Sequence, residues 1–333
     1  MYSMKASRTR SLVAFVVSAV LVVAAVALYV NRRFVTDALT TLTYSPSASI
    51  ATIASNVKLT DKGRFIFYAT RPEVEQQATF NQECPRQEAG SPILGCYTND
   101  DRIYVYDLTN EQLSGMEEVT AVHEMLHAAW RRMGDTEKAV LTTELQAAYS
   151  KINDDDLKNR MEYYQRTEPG ELNNELHSIL GTEVASLGEP LESYYSHYFD
   201  RQTVLTFHTK YSELYTSLYK QADELHTKMQ ALAVSIESRS SIYKNTVQQY
   251  SADVSVFNEK ADTGGFSSQS QFNSQRAALV SRSVSLNKER QAINADIELY
   301  GTYYDAYQAI AKQVELLNES IDSFSQIDQA PSL

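Results

Sequence analysis

The stretch Val119-Thr-Ala-Val-His123-Glu124-Met-Leu-His127-Ala-Ala-Trp130 carries two imidazoles four residues apart, with a carboxylate between them. Positions four apart on a helix lie one above the other on the same face, so His123 and His127 can share one metal ion. Glu124 is displaced about 100° round such a helix, where its carboxylate can take a proton from a water at the ion's open position. This chemistry needs a helix to carry the motif, a third ligand, and a compartment in which to work.

The third ligand has to come from elsewhere in the chain. A third imidazole in the extended pattern His-Glu-x-x-His-x-x-Gly-x-x-His is excluded, because position 130 is Trp and position 133 is Met. After the break at Glu168-Pro-Gly170, the segment 171–187 reads as a helix bearing Glu175, His177 and Glu183. Leu172, Leu176, Ile179, Leu180 and Leu187 form its apolar face. Glu183 falls near the middle of that face, where an unpartnered carboxylate is costly. Glu183 is therefore the expected third ligand, with Glu175 on the flank as the alternative and His177 pointing away.

The elements around the motif form an α+β pattern. Ile50, Ile53, Ala54 and Val57 stand at helical spacing. Asp61-Lys-Gly63 reads as a turn before a short strand, Arg64 to Tyr68. Ile93 to Tyr97 and Arg102 to Tyr106 flank Thr98-Asn-Asp-Asp101 as a hairpin. Ser114 with Glu117 three residues on is a capping box for the motif helix, which should end near Gly134. Helices are expected over 136–152 and from Asp156 to about Arg166.

The N-terminus says where such a site would work. Residues 1–10 are basic, with Lys5, Arg8 and Arg10, and Ser11 to Val30 runs without a charge. About 20 apolar residues span a bilayer core. The run exceeds a signal peptide's apolar region and leads into Tyr29-Val-Asn-Arg-Arg33, which lacks a clear small-x-small cleavage site, so an uncleaved membrane anchor is expected. The basic residues before the span favour an N-terminus inside and a bulk outside the cytoplasm. Cys84 and Cys96 bracket a Pro- and Gly-containing segment, and a disulfide between them fits an oxidising compartment. A net charge of −12 without a basic stripe argues against nucleic acid as a partner.

The composition changes near residue 201. Leu225, Met229, Leu232, Ile236, Tyr243, Val247, Tyr250, Val254 and Phe257 keep a 3–4 spacing. A Gly-Gly breaker at 264–265 separates them from a second such run, Leu279 through Leu286, Ile293, Tyr300 and Leu317 to Phe324. The expectation is an antiparallel coiled-coil hairpin. It would extend about 80 Å and serve spacing or the binding of a protein partner. The whole chain then reads as an N-terminal tail (1–10), an anchor (11–30), a juxtamembrane segment (31–60), a catalytic domain (61–200) and a helical hairpin (201–330).

His123-Glu124-Met-Leu-His127, followed about fifty residues later by a glutamate-bearing helix, resembles the gluzincin branch of the zincin metallopeptidases. The resemblance covers roughly residues 60–200, and the five-residue motif is its only specific signature. Two further gluzincin signatures, Asn-Glu-x-x-Ser-Asp and Glu-x-x-x-Asp, are absent: Ile179 follows Glu175 by four and Leu187 follows Glu183. The resemblance implies a mostly helical zincin-like domain with a small N-terminal sheet. It also implies zinc held by His123, His127 and a glutamate, with Glu124 activating water against a peptide bond. The strand Arg102 to Tyr106 would pair with the protein or peptide substrate. Tyr163, Tyr164, Tyr194, Tyr195, His177 and His197 are candidates to stabilise the oxyanion. Two rival readings share these residues: a non-catalytic surface protein binding a partner through the arm, and a zinc amidase acting on cell wall.

Overall fold

In the computed structural model, which describes residues 3–85 and 93–322, the uncharged run lies in helix α1 (Ser3–Val30). Its segment Val13–Val30 is long and apolar enough to cross a membrane, and none of it is buried against the protein. Helix α2 (Arg32–Thr43) follows after Asn31, then α3 (Ala48–Asn56), begun by Ser47, whose hydroxyl accepts from Ile50 N–H. The stretch 31–60 is folded into the body of the protein, since Ile50, Ile53, Ala54 and Val57 belong to the main core.

The strand expected over Arg64 to Tyr68 is instead part of helix α4 (Asp61–Ala69). Thr60 caps it, accepting from Gly63 N–H, so Asp61-Lys-Gly63 is the first helical turn and not a β-turn. Gly63, Ile66 and Phe67 are buried at helical spacing. A Cβ on Gly63 would stand 1.9 Å from the carbonyl oxygen of Tyr198, so only glycine permits this approach.

One three-stranded sheet follows, in the order β1-β3-β2. Strand β1 (Glu73–Glu75) leads through α5 (Gln77–Glu83) towards β2 (Gly95–Tyr97) and β3 (Ile103–Tyr106). β1 runs parallel to β3, whereas β2 forms the expected hairpin with β3, Cys96 opposite Tyr104. β3 is buried along its length. Ile103 and Val105 enter the main core, while Tyr104 and Tyr106 join a smaller cluster with Phe80 and Cys84. The Cys84–Cys96 disulfide is formed and ties the end of α5 to β2. Residues 86–92 of the segment it brackets lie outside the described residues.

The motif helix α6 (Met116–Arg132) sits at the centre of the core, with α7 (Asp135–Tyr149), α8 (Asp155–Thr167), α9 (Leu172–Thr182) and α10 (Glu189–Ser196) following. Val122, Met125, Leu126 and Ala129 of α6 are buried among Ile53, Phe67, Leu145, Leu176, Leu180 and Tyr195. The capping box at Ser114 does not form. Gly115, at φ +102°, is the N-cap, and Glu117 accepts from Leu108 N–H (2.7 Å) instead.

The chain divides into two compact units, one of residues 1–213 with the stretch from 317, the other of residues 214–316. Helix α11 (Arg201–Asp262) starts in the first, where Val204 and Leu205 are buried. The end of α12 (Gln269–Ile321) returns to it, with Leu317 buried and Ser320 bonded to Asn110. Within the second unit the two helices are antiparallel. Lys228 lies over Tyr303, Arg239 pairs with Glu289 and Asp296, and Arg282 pairs with Asp253. Phe257, Phe266 and Phe272 pack together where the chain turns. Phe324 lies outside the described residues.

A buried ion network joins α2 to the motif helix. Arg132, in the last turn of α6, bonds both oxygens of Asp37 (2.9 and 2.9 Å) and both oxygens of Asp101 (3.2 and 3.0 Å). Arg33 also reaches Asp101 (2.6 Å), whose carboxylate further accepts from the Tyr97 hydroxyl. Replacing Arg132 by Ala removes both hydrogen bonds to Asp37, which is 3 % exposed and keeps only the Arg33 guanidinium 3.6 Å away, and should destabilise the fold by about 3 kcal/mol in denaturant titrations. Burial alone would raise the Asp101 carboxyl, but the Tyr97 bond and Arg132 outweigh it and hold the carboxyl below the usual range. That contribution is present above the ordinary carboxylate pKa and fades as pH falls through the depressed value.

Candidate metal centre

Helix α6 delivers His123 and His127 to one side, one turn apart, with ring centroids 4.8 Å from each other. Helix α9 crosses α6 closely because its facing residues are small. Ser178 is fully buried, and a Cβ on Gly181 would meet Leu126 at 2.6 Å. That crossing brings Glu175, three residues before Ser178, up to both imidazoles. Its carboxylate oxygens lie 3.8 Å from His123 Nε2 and 3.6 Å from His127 Nε2. One atom from each of the three residues lies within 4.8 Å of the others.

Those separations are longer than hydrogen bonds and slightly wider than the about 3.3 Å edge of a tetrahedron with ligands at 2.0–2.1 Å. Two imidazole nitrogens and a carboxylate are a donor set that suits a borderline divalent ion such as zinc. Ser178 Oγ lies 3.3 Å from His127 Nδ1, the ring nitrogen turned away from Glu175, and helps fix the ring's orientation. The residues present therefore fit a metal ion.

Glu183, the expected third ligand, is placed elsewhere. Helix α9 ends at Thr182, and Glu183 is its C-cap, so the apolar face drawn through Leu187 does not exist beyond that point. The Glu183 carboxylate is held by Arg160 of α8 (2.6 and 3.2 Å), with His208 of α11 at 3.9 Å. Its partner is a guanidinium in place of a metal ion. Arg160 also lies close enough to Glu175 to lower its carboxyl, although the two imidazoles act more strongly against the effect of burial.

Glu124 lies beside the cluster and is 8 % exposed. Burial pushes its carboxyl up to about 7, with Glu175 adding to the rise. His127 and the backbone N–H of Tyr97 act the other way, favouring the charged form. β2 therefore runs past the carboxylate, and Gly95 allows the approach: a Cβ there would stand 2.5 Å from Thr120 Cγ2 and 3.1 Å from Glu124 Cγ.

This reverses the roles expected for the hairpin. β3 has neighbours on both edges and cannot pair with a further strand, whereas β2 is an edge strand among the described residues and lies next to Glu124. Of the oxyanion candidates, Tyr194, Tyr195 and His177 form a packed cluster behind α9. His177 Nε2 is 2.9 Å from the Tyr194 hydroxyl, Tyr195 donates to the His177 carbonyl (2.7 Å), and Trp130 packs on the His177 ring. Burial first, then His127 and His123, push the His177 imidazole down to about 3, so it is neutral. His197 is exposed, with its ring against the Tyr194 carbonyl, and Tyr163 packs on Tyr164.

Sequence reasoning missed the parts played by Tyr97, Ser178 and Arg160. Only Ser178 left a readable trace: with Gly181 it sets two small residues three apart on one helix, the pattern of a close helix crossing. No protein-family model, no curated protein and no solved structure matches this chain. The functional reading therefore rests on the geometry of these side chains.

Proposed function

We propose that this chain is a membrane-anchored zinc metalloendopeptidase of gluzincin-like type, working outside the cytoplasm on protein or peptide substrates. The observation that carries the proposal is the convergence of His123, His127 and Glu175 beside a buried Glu124. Zinc at these three residues would supply Lewis acidity and acidify a water at its open position. Glu124 is the residue that would accept a proton from the attacking water and pass it to the leaving amine. Burial raises its carboxyl and so makes it a better proton acceptor than an exposed carboxylate, while a zinc ion beside it would favour the charged form. The Tyr97 N–H steadies it, and the β2 edge offers backbone groups to an extended peptide.

Two features support this location. The apolar span Val13–Val30 supports an uncleaved anchor, and Lys5, Arg8 and Arg10 before it support an N-terminus inside. The Cys84–Cys96 bridge fits an oxidising compartment for the rest. A quenched-fluorescence peptide library incubated with the full chain in detergent tests the activity, with a cell-wall digest run alongside. Peptide cleavage that a chelator stops and added zinc restores is expected. Release of cell-wall fragments without peptide cleavage would transfer the site to the amidase reading, and hydrolysis in neither assay would overturn the proposal.

A further inference from the structure

Helix α2 is amphipathic in the sense opposite to that of a water-facing helix. At about 100° per residue, Phe34, Val35, Ala38, Leu39 and Leu42 share one side, and Arg33, Asp37, Thr40 and Thr41 share another. The polar side faces the protein, where Asp37 is buried in the network with Arg132. The apolar side faces out: Phe34 is 63 %, Leu39 60 % and Leu42 82 % exposed. A helix with water outside would place these the other way round.

Three observations say what covers this face. First, it continues the exposed apolar surface of the candidate span. Only Asn31 separates α1 from α2: its N–H closes α1 on Ala27 O, its carbonyl accepts the first bond of α2 from Val35 N–H, and its ψ of 16° lets the second helix turn from the line of the first. Second, Asp37 is the only acid in the first 60 residues, and it is turned inward, so the outer face carries no anion to repel phosphate. Third, Arg32 is exposed beside Tyr29, its guanidinium 5.0 Å from the ring centre, a pairing suited to the headgroup level of a bilayer.

We infer that the outward face of α2 lies in the interfacial layer of the bilayer that receives α1, with phospholipid as its occupant. This rests on reading α1 as a span and goes beyond it. The catalytic unit would not hang from a flexible tether. It would be fixed at the membrane surface, because the same helix that meets lipid on one side is bonded to the motif helix through Asp37 and Arg132 on the other.

The test is fluorescence quenching by brominated acyl chains, with the full chain reconstituted in phosphatidylcholine–phosphatidylglycerol vesicles and its single native tryptophan, Trp130, as the reference. Val22→Trp reports the span, Leu42→Trp and Leu39→Trp report the outward face of α2, and Thr36→Trp reports an exposed position of the same helix outside that apolar face. The added emission at positions 22, 39 and 42 should fall about twofold or more, and that at 36 should change little. Quenching at 22 with none at 39 and 42 would overturn the inference and leave the anchor standing. No quenching at 22 would overturn the anchor and the inference with it. Equal quenching at 36 and 42 would overturn the one-sided contact.

Discussion

Glu124→Gln should leave the metal bound and lower the rate of peptide hydrolysis about 10²–10⁴-fold, the range associated with a positioned general acid–base group. The amide has the shape of the carboxylate and can still accept from the Tyr97 N–H, so the site around it should keep its geometry. It cannot take a proton from water and return it to the leaving amine. Glu124 is also not one of the three converging residues, so metal content should match that of the unaltered protein. The loss should appear in kcat with little change in KM, since the group acts on the transition state and not on substrate binding. Activity within a fewfold of the unaltered protein would show that another group activates the water.

Glu175→Ala and Glu183→Ala should separate the two candidate ligands. Without Glu175 only two imidazoles remain, and metal affinity should fall by more than the about 10–100-fold associated with losing an outer partner of a ligand. Without Glu183 the three converging residues are intact and the metal should stay bound. The cost there is structural: Arg160 loses the carboxylate that bonds it at 2.6 and 3.2 Å, and its freed charge is left beside Glu175. Competition against a chromophoric chelator measures both affinities. A metal lost with Glu183 and kept without Glu175 would reverse the assignment.

The motif helix, the β2–β3 hairpin, the cysteine pair and the uncharged N-terminal run were all legible in the sequence, because each has a strong local signature. Three other features depended on tertiary surroundings. Phe65-Ile-Phe-Tyr68 looks like a strand when read alone, but Thr60 caps a helix there and Gly63, Ile66 and Phe67 bury one face of it. That Glu175 and not Glu183 would stand beside the two imidazoles was not legible, because Leu176 to Thr182 of α9 are all buried and hydrophobicity could not say which side met α6. The close-packing side, marked by Ser178 and Gly181, was the better guide, and Glu175 stands three residues before Ser178. The strand order could not be read from β3's apolar residues, which suit a central strand as well as an edge. The buried network of Asp37, Arg132 and Asp101 links residues 95 and 31 positions apart, and no local pattern announces it.

The convergence of His123, His127 and Glu175 on one ion is the claim on which the functional account depends. Elemental analysis of the purified full chain in detergent, after exposure to zinc and removal of excess, tests it most directly. The account predicts about one zinc per chain, lost in His123→Ala, His127→Ala and Glu175→Ala, with a zinc-dependent rise in melting temperature for the unaltered protein. A chain that carries no zinc and melts at the same temperature with or without it would contradict the account.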